Sequence, residues 1–468
     1  MEAHVRIEGS PGSRRAVARG PLPAGTLVLC EPAAAAVLRR ERWHIHCLSC
    51  WTRLPTGAPR LRCSRCRLAH FCDARCQARA WKAAHRAECA AFANLARAAA
   101  AAELDSGYVA LAEDALLVGR LVRRWASLDE QARGALGALC EAPAPRLAQA
   151  ELVARTAADA GLLDLPPTGG PPRVADGSSF ALAAQLARAF DANNFGVLAP
   201  LGGGVLGAAS FPLSAILNHS CEPTCALAHD LEAGSETDVR QAVRTIVPVR
   251  AGCELTHAYV DTSLGAARRR QLLRTGWGFE CACARCAAAD AGDPGERALD
   301  APNVHDAAAE RSLADASRAH AAAIACDEPA EERALLHRAL RLRRQHLAPQ
   351  HAHVRELHAA LLACELADGN RRAARAHADE LVRSARIAFG ARPCASFAML
   401  LLTAAELWSA DATVDVDACA RACALGCEAR ALLTLTHGES HPLTRQAGLR
   451  LAGVEVSHAD RAKALVQE

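Results

Sequence analysis

Eight residues between positions 47 and 89 have the types and spacing of metal ligands. They form the pattern Cys47-x2-Cys50, Cys63-x2-Cys66, Cys72-x3-Cys76 and His85-x3-Cys89. Seven thiols and one imidazole supply two complete tetrahedral zinc sites with no open position, which is typical of structural zinc. The segment has so few large apolar side chains that we expect it to fold only with its metal. Spacing leaves open whether the ligand pairs are used in sequence or interleaved.

A second group of thiols predicts another zinc site near residue 285. Cys281-x-Cys283-x2-Cys286 supplies three ligands, and a closed site needs a fourth. Cys221 and Cys225, about 60 positions earlier, are the candidates. Disulfides are a weaker explanation for the 21 cysteines, because disulfide scaffolds are short and secreted.

Two remote segments carry side chains that can donate, accept and ligate. The first, Asn-His-Ser-Cys-Glu-Pro-Thr-Cys over 218–225, follows the apolar residues 215–217. The second, Glu-Leu-Thr-His-Ala-Tyr over 254–259, is a strand-like run that ends in Tyr259, one of only two tyrosines. These segments resemble the signature halves of a SET domain. With the cysteine-rich module, the chain resembles the SET and MYND domain (SMYD) protein-lysine methyltransferases.

The resemblance implies an S-adenosylmethionine-dependent protein-lysine N-methyltransferase, with roles for named residues. Tyr259 would be catalytic, orienting the substrate amine. Methyl transfer is an in-line displacement that depends mainly on alignment and exclusion of water. The implied cofactor contacts are Asn193, Asn218, His219, Tyr259 and Phe279, and the implied lysine-channel residues are Phe195 and Trp277.

The resemblance also implies three structural Zn²⁺ ions with defined ligands. The finger ligands would interleave, and Cys221 would be the fourth ligand of the late site. The implied sets are Cys47, Cys50, Cys72 and Cys76; Cys63, Cys66, His85 and Cys89; and Cys221, Cys281, Cys283 and Cys286.

Some positions depart from the family pattern. Ser10 and Gly12 stand in a Gly-rich loop where the family usually has arginine or lysine and asparagine, so polar cofactor contacts are lost. Asn194 replaces a serine conservatively, and Trp277 replaces a frequent tyrosine. An alternative function is therefore a catalytically weak or inactive SET/MYND scaffold that recruits partners in transcriptional regulation.

The predicted fold is α+β and multidomain, with a split β-rich SET domain. Residues 1–46 form its N-terminal segment, 47–89 a MYND finger, 90–175 a helical insert, 176–262 the core, 263–289 a zinc-bound post-SET segment and 290–468 an all-α TPR-like tail. Strands are predicted over 15–18 and 26–29, and helices over 73–88, 92–102, 109–127, 129–140 and 180–191. For Asn193, which follows the last of these helices, capping of a turn is the alternative to a cofactor role. Arg268, Arg269 and Arg270 are expected on a solvated helix face.

Composition limits the partners. A net charge of +3 over 468 residues gives no chain-wide nucleic-acid footprint. The stretch 39–89 is basic, which suits either a solvated surface or a partner such as DNA or, by resemblance, a Pro-rich peptide. The absence of an 18-residue apolar run predicts no membrane span. We expect a monomer of the cytoplasm and nucleus that acts on protein substrates.

Overall fold

The computed structural model describes most of the chain. The described residues are 4–10, 13–55, 57, 60–101, 106–137, 139, 144–164, 178–199, 204–231, 239–300, 306–409 and 416–449. Gly12 of the predicted cofactor loop lies outside them.

The described part of the chain has a mixed α/β fold with short strands and long helices. The strands are β1 (Val5–Glu8), β2 (Arg15–Ala18), β3 (Leu27–Pro32), β4 (Ala35–Leu38), β5 (Leu61–Arg62), β6 (His70–Phe71), β7 (Asn194–Leu198), β8 (Val205–Ser210), β9 (Asn218–His219), β10 (Cys225–Leu231), β11 (Val239–Thr245) and β12 (Thr256–His257). The helices of the first 300 residues are α1 (Ala74–Ala80), α2 (Arg86–Ala101), α3 (Ser106–Arg124), α4 (Glu130–Gly137), α5 (Ala144–Asp159), α6 (Ser178–Asn193), α7 (Ala266–Trp277), α8 (Ala284–Asp290) and α9 (Pro294–Asp300). The later helices are α10 (Ala307–Ile324), α11 (Pro329–His346), α12 (Ala352–Ala367), α13 (Arg371–Phe389), α14 (Ala395–Ser409) and α15 (Val416–His437).

The N-terminal strands complete sheets formed mainly by strands from the middle of the chain. One antiparallel sheet has the order β10-β11-β3, and another has the order β4-β8-β7. The β1-β2 hairpin is joined to the later chain by a bridge between Val17 and Glu254. Buried and partly exposed residues alternate along β11, the period-two pattern of a strand with one face on a core. The first 40 or so residues and the residues after 200 therefore belong to the same packed domain.

The finger and the insert are joined by one nearly continuous helical segment. Asp73 caps α1, its carboxylate accepting the Cys76 N–H at 2.7 Å. A π-helical turn over Trp81–His85 links α1 to α2, so helix begins six positions before the predicted start at residue 92. Phe92, at 0% exposure, packs in the largest hydrophobic core beneath the insert helices.

The C-terminal part is a series of helices, each from α10 to α14 packed on the next. The short helix α9 precedes this series. The last long helix, α15, packs on β10 and β11. Arg392 also forms an ion pair with Glu222 at 2.7 Å, so the tail contacts the segment that follows the Asn-His motif. None of the described helices combines the length and apolarity that crossing a membrane requires.

Candidate active site

The two signature segments meet through the short parallel pair of β9 and β12. Asn218 is opposite Thr256, and His219 is opposite His257. The Tyr259 N–H donates to Nδ1 of His219 at 3.0 Å. Within the predicted run 254–259, Glu254 bridges to Val17, and Thr256 and His257 pair with β9. Tyr259 lies beyond the paired residues, and its N–H bonds to a side chain rather than to a main-chain carbonyl.

The Tyr259 side chain lies in a group of aromatic rings. Its hydroxyl donates to the Leu217 carbonyl oxygen at 2.8 Å. Four rings surround it, with centroid distances of 4.7 Å to His257, 5.2 Å to Trp277, 5.3 Å to His219 and 6.4 Å to Phe279. The half-buried phenol is therefore held at its oxygen and flanked by aromatic rings on several sides.

Trp277 and Phe195 connect this group to the end of α6. The Trp277 indole N–H donates to the Ala192 carbonyl at 2.8 Å, and the Phe195 ring is 5.9 Å from that of His257. Gly278 ends α7 in the left-handed conformation at φ 75°, which turns the chain so that Phe279 also faces the group. Both predicted channel residues are thus within two ring contacts of Tyr259.

The two asparagines assigned to the cofactor have protein contacts of their own. The exposed Asn218 donates its amide to the Arg14 carbonyl at 2.9 Å and to the Glu254 carboxylate at 2.8 Å. Asn193 is the last residue of α6, not part of a following turn, and donates to the Ala189 carbonyl at 2.6 Å. That bond one turn back within the helix explains why helix continues through residue 193. The exposed Ser10 lies 3.0 Å from Ser13, hydroxyl to hydroxyl.

Both histidines at the site are neutral near pH 7. Burial lowers the pKa of His219 to about 4 and that of His257 to about 3. His219 accepts the Tyr259 N–H at Nδ1, and its Nε2 lies 3.3 Å from the Cys221 sulfur. With both ring nitrogens engaged, His219 positions Tyr259 and does not offer a free base.

The structure brings the twelve predicted metal ligands together in three groups of four. Within each group the ligand atoms all lie within 4.8 Å of one another. The finger ligands interleave, and Cys221 joins the late thiols, its sulfur 3.6 Å from that of Cys286. Cys225 is buried nearby but is not in the group. The groups are Cys47, Cys50, Cys72 and Cys76; Cys63, Cys66, His85 and Cys89; and Cys221, Cys281, Cys283 and Cys286. Sulfur-rich groups of this kind are suited to zinc.

Arg269 does not lie on a solvated helix face, and that prediction is wrong for this residue. Its side chain is fully buried, with Nε 3.2 Å from the Cys221 sulfur and an ion pair to Glu296 at 3.0 Å. Arg270 is half-buried and pairs with Asp290, and Arg268 is exposed. Four thiolates around a Zn²⁺ carry a net negative charge, and a buried guanidinium offsets it. Three consecutive arginines give no signal of which one points inward.

Sequence reasoning also missed the Leu217 carbonyl as part of the site. The His257 ring packs between Phe195 and Tyr259, and Leu217 accepts the phenol. A main-chain acceptor has no sequence signal, because every residue provides a carbonyl group.

The chain is similar in sequence to several known proteins. The MYND finger family model matches residues 46–89. The chain is 24% identical over 269 residues to the mouse histone-lysine N-methyltransferase Smyd1, covering 56% of this chain and 51% of that protein. It is 27% identical over 299 residues to mouse histone-lysine N-methyltransferase SMYD3, covering 59% of each. A SET and MYND domain-containing protein of Dictyostelium discoideum is 32% identical over 81 residues, 17% of this chain and 19% of that protein.

The chain therefore has a MYND finger over residues 46–89 and is similar, over more than half of its length, to histone-lysine N-methyltransferases of the SMYD type. It spans between half and three fifths of the length of the two mouse relatives.

Proposed function

We propose that this protein is an S-adenosylmethionine-dependent protein-lysine N-methyltransferase acting on histone or other proteins. The observation that carries the proposal is the position of the Tyr259 hydroxyl, fixed 2.8 Å from the Leu217 carbonyl inside a group of aromatic rings. A phenol fixed in this way matches the requirement of amine alkylation, which is alignment in a dry site.

The residues around Tyr259 fit the cofactor. Asn218 is exposed and uses its amide N–H groups within the protein, which leaves its side-chain oxygen without a partner among the described residues. The Phe279 ring is half-buried beside His219 and offers a face for stacking on adenine. When bound, S-adenosylmethionine supplies a methyl group activated on a sulfonium sulfur.

The chain's own residues align the acceptor amine and exclude water. The Tyr259 hydroxyl donates its proton in the hydrogen bond to the Leu217 carbonyl. The phenol oxygen would therefore act as an acceptor for an N–H of a lysine amine. Phe195 and Trp277 form apolar walls, and an apolar channel disfavours the ammonium form of lysine. The amine that arrives is then neutral and has a free lone pair directed by the tyrosine oxygen.

In this proposal the metal ions have a structural role, and the late one holds Trp277 and Phe279 in place beside Tyr259. Three Zn²⁺ ions would occupy the three ligand groups, with no open position for catalysis. The late site ties residues 281–286 to Cys221, which fixes Trp277 and Phe279 against Tyr259. The finger would dock protein partners such as Pro-rich peptides, and the protein would act in the cytoplasm and nucleus as a monomer.

The test is methyl transfer from labelled S-adenosylmethionine onto a cell lysate, followed by mass spectrometry of the marked proteins. We expect labelling by the wild type and at least a tenfold loss in Tyr259→Phe, with cofactor binding by calorimetry retained in both. No cofactor binding at millimolar concentration would contradict the proposal. Cofactor binding without any methyl transfer by the wild type would instead support the inactive-scaffold alternative.

A further inference from the structure

A group of ligand-type side chains in the helical tail has no part in the proposed methyl transfer. His337 lies on α11, Glu365 on α12 and His377 on α13. One ligand atom from each lies within 4.8 Å of the other two, the same closeness that groups the cysteine sets. Three consecutive helices thus each supply one side chain to a single point.

We propose that His337, Glu365 and His377 bind a divalent transition-metal ion, with Zn²⁺ the first choice. Two imidazoles and a carboxylate are a ligand set that suits zinc, and three protein ligands leave one coordination position for water or a further side chain. Thiolate is absent from the group, so its chemistry differs from that of the cysteine sets.

The surroundings of Glu365 indicate a missing positive charge. This residue is 3% exposed, and its carboxylate accepts one hydrogen bond, from the Asn370 amide at 2.7 Å. Among the described residues it has no ion pair with arginine or lysine. A buried carboxylate is costly without a positive partner, and a metal ion between the three helices would provide it.

His358 is a buried histidine that contacts one member of the group. It is 5% exposed, and its Nε2 has no hydrogen-bond partner among the described residues. Its Nδ1 is 2.9 Å from Nδ1 of His377, and it lies on α12 two turns before Glu365. Metal-bound histidines commonly use their second ring nitrogen for a hydrogen bond that fixes the ring. His358 is therefore placed to orient His377 from outside the ligand group.

A bound ion would cross-link α11, α12 and α13 within the tail. Leu336 of α11 packs in one core with Leu357 of α12, and Leu362 of α12 packs in another with Ala374 and Ala378 of α13. Binding to the folded state alone raises stability in proportion to the logarithm of metal concentration. The tail should therefore gain thermal stability when zinc is added, without any change at the methyl-transfer site.

The first test measures the zinc-to-protein ratio of the full-length protein by mass spectrometry after dialysis. We expect His337→Gln and His377→Gln each to carry one zinc fewer than the wild type. The matched control, His353→Gln, replaces an exposed histidine of α12 outside the group and should retain the full ratio. Added ZnCl2 should raise the melting temperature of the wild type and control more than that of the two variants. Equal zinc ratios in all four proteins would overturn the proposal.

The second test needs no variant, so a misfolded mutant cannot obscure the answer. Crystals of the wild type grown with ZnCl2 should give an anomalous peak at the zinc edge between α11, α12 and α13. Peaks at the cysteine groups with none between these helices would reject the site. Neither readout depends on methyl transfer, so failure here is distinct from failure of the proposed enzyme function.

Discussion

The Tyr259 hydroxyl donates a hydrogen bond of 2.8 Å to the carbonyl oxygen of Leu217, 42 positions earlier. The Tyr259 main-chain N–H also bonds to the same segment, at Nδ1 of His219. The phenol is thus attached at its oxygen and at its backbone to residues 217–219. Any change that shifts this segment should move the Tyr259 phenol with it.

Replacing Tyr259 by phenylalanine removes the phenol without removing the ring. We expect a stability loss of about 1 kcal/mol, because the Leu217 carbonyl loses its partner. Methyl transfer should fall by a larger factor than this, mainly in kcat, since in the proposed mechanism the tyrosine oxygen orients the amine. Urea unfolding and steady-state kinetics measure the two effects. A variant with unchanged kcat would show that the hydroxyl is only structural.

Cys221→Ser tests the late zinc group, and Cys225→Ser is its matched control. Both thiols are buried, but only Cys221 lies among the late cysteines. We expect Cys221→Ser to lose one zinc per chain and to impair methyl transfer, because Trp277 and Phe279 lose their anchor. Cys225→Ser should retain the full zinc ratio. Loss of zinc from the Cys225 variant alone would reverse the ligand assignment.

Trp277→Phe keeps an aromatic wall but removes the hydrogen bond to the Ala192 carbonyl. Trp408→Phe is the control, since the Trp408 indole bonds to Asp379 at 3.0 Å in the tail. Each variant should lose about 1 kcal/mol of unfolding free energy. Only Trp277→Phe should change KM or the number of methyl groups added. Equal kinetic effects of the two variants would argue against a channel role for Trp277.

Because His257 is buried in its neutral form, we expect the folded protein to become less stable in mild acid. Burial lowers its pKa from 6.5 to about 3, so in this range the unfolded state binds the proton more readily. The neutral His257 side chain contributes its full share of the unfolding free energy above pH 6.5. This share is lost as the pH falls toward 3, at up to about 1.4 kcal/mol per pH unit. Urea unfolding between pH 7.5 and 5.5 should show a shallower slope for His257→Gln than for the wild type or for exposed-site His353→Gln. Parallel slopes for all three would disprove this contribution.

Gly207→Ala should destabilise the sheet, whereas Gly196→Ala on the neighbouring strand should not. A Cβ at Gly207 would overlap the Val37 carbonyl oxygen, which is main chain and cannot move aside. A Cβ at Gly196 would come no closer than 3.5 Å to the Val205 side chain. Gly207→Ala should lower the unfolding free energy by about 1–3 kcal/mol, and Gly196→Ala should lower it by less than about 0.5 kcal/mol. Thermal unfolding measures both.

Features that depend on local spacing were predictable. The helix over 73–88, the β-strand at Arg15–Ala18 and the succession of tail helices follow from periodicity and turn residues. Helix ends were less predictable: Asn193 extends α6 through a bond to its own helix, and a π-helical turn carries helix into α2. Such ends depend on single side-chain contacts that a periodic pattern does not contain.

The sequence by itself determined which residue types can bind metal, and it marked Tyr259 and the Asn-His segment as chemically important. Only the tertiary structure decided which distant groups meet. It paired residues 217–219 with 256–259, buried Arg269 against the Cys221 sulfur, and brought His337, Glu365 and His377 together from three helices. The physical reason is that helix and strand periods fix neighbours over a few residues. Contacts across 20 to 200 positions are set instead by which apolar faces pack together.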